Sequence, residues 1–418
     1  MQDNGLLTAI DVGTTKVFTI LGKRTGPGRF DILAHSLVPS HGLKKGNVAD
    51  VAATQEAVRR SIDDVERKSG MKVESAYVGV TGSHIEFENR WQPMGWAGKR
   101  GIVTSDDLAR VSDHVASSGV GDRRRLIHAL PKEYAVDGQG GIRNPEGMHS
   151  KQVEVETHVV TGDSSVIRLL VSSVEQAGIK VDDLVLQPLA SGEAALTPSE
   201  REDGAAIVDI GGGTTDIVVF RRGAIAYTAA IPVGGYQFTN DICLTYNSPY
   251  PAAEEAKLTY AHTEPYMVKT DEDVPLPVVD QTAPLRIPRR DLVQLMRERA
   301  HELARLVMLR LREAGVDDIA NFTVVLSGGT SNLPGLEQLM RRTLGMRVRL
   351  GSPDQRPGLP AELQSPAHST GVGIMIWASK QQEAAQTEES KSKERSVEFR
   401  GNNVVSRFFR QVRALLAA

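Results

Sequence analysis

Two short stretches of the chain carry the same order of apolar and polar positions. Leu6-Leu7-Thr8-Ala9-Ile10 runs into Asp11-Val12-Gly13-Thr14-Thr15-Lys16 and on into Val17-Phe18-Thr19-Ile20-Leu21. Ala206-Ile207-Val208 runs into Asp209-Ile210-Gly211-Gly212-Gly213-Thr214-Thr215-Asp216 and on into Ile217-Val218-Val219-Phe220. Each predicts a buried strand, a tight Gly/Thr turn opened by an aspartate, and a second buried strand. The copies stand roughly 200 residues apart, the size of a whole domain. That spacing predicts two related halves and is far too long for a solenoid repeat.

Each half is interrupted by other patterns. Residues 73–79 predict a strand of the first half, and 159–178 predict a strand and helix that resume it. Between them, Thr104 predicts an N-cap for a helix over 105–117, with Asp106 and Asp107 in the first turn where the helix dipole favours anions. Residues 151–157 alternate like a half-buried strand. In the second half, a proline-rich acidic stretch at 270–288 precedes a helix over 289–314. Leu292, Leu295, Met296, Leu303, Leu306 and Val307 recur there at helical spacing. The expected α/β organisation is therefore a first half at 1–82 and 159–200, joined by a helix near 366–378, and a second half at 201–230 and 315–365. The inserts fall at 83–158 and 231–314.

The end of the chain changes character. Residues 379–400 are rich in Lys, Glu, Gln and Ser, and their composition predicts a disordered linker. Residues 402–418 become amphipathic. With Val404 at zero and about 100° per residue, Val404, Val405, Phe408, Phe409, Val412, Leu415 and Leu416 fall within an arc of roughly 140°. Arg407, Arg410 and Arg413 fall on the opposite side. Such a helix can bury its apolar face at the lipid boundary while the arginines meet anionic lipid headgroups. A helix docked on a partner would show the same pattern, but the polar stretch before it makes docking costly in entropy.

Composition narrows the function classes. With 40% hydrophobic and 24% charged residues the chain is ordinary globular protein. A net charge of -3 speaks against a dedicated nucleic-acid binder, which would show a basic surplus. Cys243 is the single cysteine, so neither an internal disulfide nor a multi-thiolate zinc site is expected. No secretory signal is expected at residues 1–13, and no apolar run approaches the roughly 20 residues of a spanning helix. The sequence thus predicts a cytosolic protein whose membrane contact is peripheral.

Two facing Gly/Thr hairpins suit a nucleotide. The glycines let backbone N–H groups approach phosphate oxygens, and the hydroxyls of Thr14, Thr15, Thr214 and Thr215 add donors. Asp11 and Asp209 at the strand ends can hold Mg²⁺ through water, since that ion takes oxygen ligands and keeps several waters. Lys16 adds a cation beside the phosphates. A third turn, Ser327-Gly328-Gly329-Thr330 after Val324-Val325-Leu326, would let backbone lie against base and ribose. Taken singly, each is also explained as a tight turn. No P-loop and no G-x-G-x-x-G occurs.

This order of turns resembles the actin, sugar-kinase and heat-shock ATPase superfamily, which implies an actin-like fold that binds ATP with Mg²⁺. By that resemblance Asp11–Lys16 and Asp209–Asp216 are the two phosphate motifs, Gly328, Gly329 and Thr330 belong to the adenosine motif, and Glu254 and Lys257 flank the adenosine. Gln187, in Gln187-Pro188-Leu189-Ala190, stands where hydrolysing relatives keep a residue that orients water. A polar residue at a strand end would look the same. An insert placed after Gly82, together with Leu130-Pro131-Lys132-Glu133-Tyr134, Gly141-Ile142-Arg143-Asn144-Pro145 and Pro366-Ala367-His368-Ser369-Thr370-Gly371-Val372-Gly373, is similar to the FtsA family. That resemblance implies a protein that polymerises with itself, recruits the C-terminal tail of FtsZ to its second insert, and tethers it to the cytoplasmic membrane at the division site. Other divisome proteins are further implied partners. For the acidic tail, Arg286, Arg289 and Arg299 are the candidate contacts, because arginine makes bidentate bonds to carboxylates. The alternative is a solvated helix face on which Arg297 and Arg299 simply pair with Glu298, Glu302 or Glu313. Any hydrolysis would be slow. A small-molecule kinase or ATPase of the superfamily and a PilM-like pilus protein are the alternatives, and neither has a use for the terminal amphipathic helix.

Overall fold

A computed structural model describes residues 5–396 apart from 27, 99–100, 118, 317–318, 320 and 354–357. The two patterned stretches each form the centre of a five-stranded sheet. In the first, Leu6–Val12 pairs antiparallel with Lys16–Gly26, with Val12 opposite Val17. Arg29–Pro39 extends that side, while Ser75–Val80 and Lys180–Leu186 run parallel on the other. In the second, Ala205–Ile210 pairs antiparallel with Thr215–Arg221, Ala224–Ile231 follows, and Thr323–Ser327 and Arg347–Leu350 are the parallel strands. The two sheets therefore share one plan. Their central strands are buried nearly throughout, as continuous apolar runs covered on both faces must be.

Helix Gln187–Ala195 joins the halves, and the C-terminal helix lies against it. The approach is close enough that a Cβ at Gly373 would strike the Ala190 carbonyl, so glycine there sets how near the helices come. Trp377, Val372 and Ile376 of the same helix fill the core of the first half.

The first insert is a four-stranded sheet in the order Glu86–Pro93, Val153–Asp163, Arg124–Val136, Gln139–Ile142. Thr104 caps a helix there, in a capping box with Asp107. The helix is broken in two, Ser105–Ala109 and Val111–Ser117, where the pattern predicts one. The insert also leans on the second half: His158 Nε2 lies 2.9 Å from Thr228 Oγ1, and Asn89 Nδ2 donates to the Ala226 carbonyl at 3.0 Å. The second insert comprises helices Gly235–Tyr246, Tyr250–Tyr260 and Arg289–Glu313 with a small ribbon, Asp273–Leu276 against Leu285–Pro288. Leu292, Met296, Leu303 and Val307 form the buried stripe of the long helix.

The expected disordered linker at 379–400 is corrected over most of its length, because the C-terminal helix runs unbroken from Ser369 to Ser396. Its first residues are anchored: Ser379 and Gln381 are buried, Ser379 Oγ donates to the Gly26 carbonyl at 2.9 Å, and Lys380 reaches Glu193. Beyond them the sequence is mostly Gln, Glu, Ala, Lys and Arg, all good helix formers, with a few Ser and Thr and no Gly or Pro. The amphipathic segment 402–418, with Val404, Val405, Phe408, Phe409, Val412, Leu415 and Leu416, lies outside the described residues. No helix among the described residues is long and apolar enough to cross a membrane.

Candidate nucleotide site

The two hairpin turns face each other across a cavity of about 370 Å³, within the range of small-molecule sites. Both turns close alike. Gly13 N–H donates to the Lys16 carbonyl and Gly211 N–H to the Thr214 carbonyl, each at 2.9 Å. Their side chains interlock. A Cβ on Gly212 would meet Thr15 Cγ2 at 2.6 Å, and one on Gly213 would meet Thr14 Oγ1 at 2.5 Å. The bare backbone of the second turn is thus what lets the threonines of the first come close.

Three aspartates converge behind the turns, with Asp11, Asp209 and Asp216 all at least nine-tenths buried. Gln187 Nε2 donates to Asp11 Oδ1 at 2.8 Å. Ser191 Oγ and Thr370 Oγ1 both donate to Asp209 Oδ2, the latter at 3.0 Å, and Thr214 Oγ1 donates to Asp216 Oδ2 at 2.8 Å. Burial pushes Asp11 up to about 7, against the attraction of Lys16 and with help from Asp209. Burial likewise pushes Asp216 up to about 7 and raises Asp209. Lys16 is pushed down by its own burial, while Asp11 and Asp209 favour its charge. Its Nζ donates to the Ala367 carbonyl at 2.9 Å. Three buried carboxylates facing one ammonium make a cleft short of positive charge, and this fits a divalent cation. Among the described residues no three His, Cys, Asp or Glu groups close on a metal position. Asp11 and Asp209 therefore suit Mg²⁺ held through water and phosphate oxygens.

The third turn packs against the second. Gly328, at φ +81°, has no room for a Cβ beside the Asp209 carboxylate and the Ile210 carbonyl. Thr330 Oγ1 donates to the Gly211 carbonyl at 2.9 Å. Glu254 and Lys257, on helix Tyr250–Tyr260, pair at 2.7 Å on the cleft wall, with Lys257 Nζ also 2.9 Å from Thr239 Oγ1.

Of the residues the sequence assigns to nucleotide and metal, one is not in the cleft. Thr215 is fully buried and donates to the Val233 carbonyl at 2.8 Å, while all the others line the cavity. Ser191 and Thr370 were missed as partners of Asp209. Also missed were Tyr236 and Tyr250, whose stacked rings, 5.5 Å between centroids, form an aromatic wall. No spacing marks these in the sequence, since each meets the site only through the fold.

The arginines of the second insert divide. Arg299 holds Asp241 with Nε and Nη2, each at 2.7 Å, and also Glu302. Arg289 pairs with Glu272 at 2.6 Å. Arg286 is exposed on the ribbon.

Similarity to known proteins accords with this architecture. A family model described as cell division protein FtsA matches residues 206–373, and one described as an SHS2 domain inserted in FtsA matches residues 82–161. The chain is 35% identical over 382 residues to the cell division protein FtsA of Pseudomonas aeruginosa, covering 91% of each. To that of Escherichia coli it is 33% identical over 380 residues, covering 89% of this chain and 90% of the other. To that of Bacillus subtilis it is 31% identical over 378 residues, covering 90% and 84%. Among solved structures, the PilM–PilN type IV pilus biogenesis complex matches with a TM-score of 0.63 at 17% identity, covering 89% of this chain and 98% of that one. MreB 5 of Spiroplasma citri bound to AMPPNP matches with a TM-score of 0.52 at 13% identity, covering 94% and 99%. At such identities these two speak for the fold alone, an actin-like one. The duplicated sheets, the position of the first insert and the identity over nine-tenths of the chain agree: this chain belongs to the FtsA family of cell division proteins.

Proposed function

We propose that the chain binds Mg-ATP in the cleft between its halves, polymerises, and tethers FtsZ to the cytoplasmic face of the cytoplasmic membrane at the division site. The observation that carries the nucleotide reading is the pair of opposed turns, one lending threonines and Lys16, the other bare backbone, above three buried aspartates. The N–H groups of both turns would bind phosphate oxygens, and Lys16 would leave the Ala367 carbonyl to join them. Bound Mg²⁺ supplies positive charge that both the phosphates and the carboxylates need. Gln187, held by Asp11, would orient a water for slow hydrolysis. Residues 402–418 form the membrane tether, on the strength of their apolar arc and opposing arginines. The acidic FtsZ tail docks on the second insert, where Arg286 offers an exposed guanidinium while Arg289 and Arg299 are engaged within the fold and shape the surface.

Co-sedimentation with anionic vesicles tests the whole reading. FtsZ should pellet with vesicles only when this chain and ATP are both present. Deleting residues 402–418 should abolish pelleting of both proteins while nucleotide affinity stays within about twofold, and Phe408→Asp should do nearly the same by opposing insertion. A truncated chain that still carries FtsZ to the vesicles would refute the tether.

A further inference from the structure

A second cavity, of about 380 Å³, lies where four parts of the chain meet and shares no lining residue with the nucleotide cleft. Its walls come from strand Arg124–Val136 of the first insert, the region around helix Pro198–Asp203, the turn between Thr215–Arg221 and Ala224–Ile231, and Lys380 on the C-terminal helix.

One wall holds an unbalanced ion triad. Glu193 is 2% exposed, and its two oxygens are taken by Arg201 Nη1 at 2.7 Å and Lys380 Nζ at 2.9 Å. Two mostly buried cations thus share one carboxylate beside the cavity, and Arg201 Nη2 also donates to the Gly192 carbonyl at 2.9 Å. Against the upward push of burial, Arg201 and Lys380 hold Glu193 down to about 2. An excess of cations on the wall of a cavity, here with Arg222 as well, suits an anionic occupant. A second observation is independent of the first. Tyr134 lines the same cavity, is 1% exposed, and its hydroxyl has no hydrogen-bond partner. A buried hydroxyl left unpaired is rare and needs an explanation. Between these polar points the wall is apolar, formed by Leu130, Leu196 and Ile225.

We propose that this cavity is a second binding site, for a small organic anion with an apolar body, a phosphate monoester or carboxylate. Its oxygens accept from Lys380, Arg201 and the Tyr134 hydroxyl, which balances the triad and satisfies the phenol together. Because the first insert, both halves and the C-terminal helix all contribute to the wall, an occupant is held by all of them at once. The site is therefore placed to act as an effector site.

Phenyl phosphate is a suitable probe, since it pairs a dianion with an apolar ring of the right size. Calorimetric titration of the full chain should show saturable one-to-one binding that Mg-AMP-PNP does not displace. Tyr134→Phe removes only the hydroxyl, and Lys380→Gln removes one cation while leaving Glu193 with Arg201. Each should weaken the probe about tenfold, as expected for a bond to a charged group, with the nucleotide affinity unchanged and circular dichroism showing the fold intact. No saturable binding, displacement by Mg-AMP-PNP, or undiminished affinity in either variant would overturn the proposal.

Discussion

The two hairpins are built on one plan and do different work. Both put an aspartate at the end of a buried strand, and both close their turn by a glycine N–H onto a carbonyl three residues on. The first then spends its turn on side chains, Thr14, Thr15 and Lys16. The second spends its own on Gly211, Gly212 and Gly213. The first hairpin's threonines occupy the space that the second's glycines leave open. A repeated fold unit has thus become a complementary pair, in which one member supplies hydroxyls and charge and the other supplies approach. Behind the turns the asymmetry continues. Asp11 has an amide donor in Gln187, while Asp209 has two hydroxyl donors in Ser191 and Thr370.

The sharpest way to break this complementarity is to give the second turn a side chain. In Gly212→Val the first added carbon already lies 2.6 Å from Thr15 Cγ2 and 2.8 Å from Thr15 Oγ1. Overpacking of this kind costs about 1–3 kcal/mol, and it would also block the N–H groups from the phosphates of the proposed nucleotide. Calorimetry should show ATP affinity lowered more than about a hundredfold. Gly212→Ala should be milder, and adding Thr15→Ala should restore part of the loss, because the two nearest contacts, to Thr15 Cγ2 and Oγ1, are then gone. If the double variant is no better than Gly212→Ala, the turns do not interlock as described.

A smaller effect should come from charge, and it has a definite sign. Asp216 is pushed from its ordinary 3.8 up to about 7 in the folded chain. The unfolded chain therefore loses this proton near 3.8 while the folded one keeps it to about 7, so the unfolded state binds fewer protons in between. Stability from this group is full below about 3.8, falls as pH rises toward 7, and is flat above. The slope is at most about 1.4 kcal/mol per pH unit. Asp11 behaves alike. Denaturant melts of the ligand-free protein between pH 5 and pH 8 should show Asp216→Asn gaining on the wild type as pH rises toward 7. Parallel curves for the two proteins would mean that Asp216 ionises normally.

What the sequence reveals follows from whether a signal is local. Both hairpins and the third turn stand out because an apolar run, an aspartate and glycines are contiguous, and Thr104 reveals its helix start in the same way. Its place in the second phosphate motif puts Thr215 in the expected site, yet strand alternation sends Thr214 and Asp216 to one face and Thr215 to the other. Period-two counting could have excluded it. The local partner of Arg299, Glu302, is legible three residues on, but Asp241 for Arg299 and Glu272 for Arg289 lie 58 and 17 residues away and leave no mark. Ser191 and Thr370 reach Asp209 only because two helices are packed beside it. The segment after Ala378 departs from expectation for another reason: low hydrophobicity predicts disorder, whereas a helix already anchored by Trp377 and Gln381 continues through good helix formers. Nothing in the sequence at Arg110 marks the break in the first insert's helix.

The smallest expected effect on binding is at Gln187, and it separates two duties of one side chain. Gln187 opens helix Gln187–Ala195 and donates to Asp11 Oδ1 from Nε2 at 2.8 Å. If it only supports Asp11, then Gln187→Leu leaves a buried carboxylate one donor short. On the proposed reading that carboxylate would carry the waters of Mg²⁺, so affinity for Mg-ATP and turnover would fall together. If Gln187 also orients the attacking water, the loss falls on the chemical step, because its amide oxygen is no longer there to accept from that water. The second outcome is the expected one. In the proposed complex Asp11 would face Mg²⁺ and its waters in place of the lost donor, so affinity should change less than about threefold, within the roughly 1 kcal/mol of an ordinary hydrogen bond. Single-turnover phosphate release should slow at least about tenfold. Gln187→Glu, which keeps an acceptor oxygen but places a charge against Asp11, should retain part of the turnover at pH 6 and lose it at pH 8. Equal losses of affinity and turnover in Gln187→Leu would reduce Gln187 to a support for Asp11, the counterpart of what Ser191 and Thr370 do for Asp209.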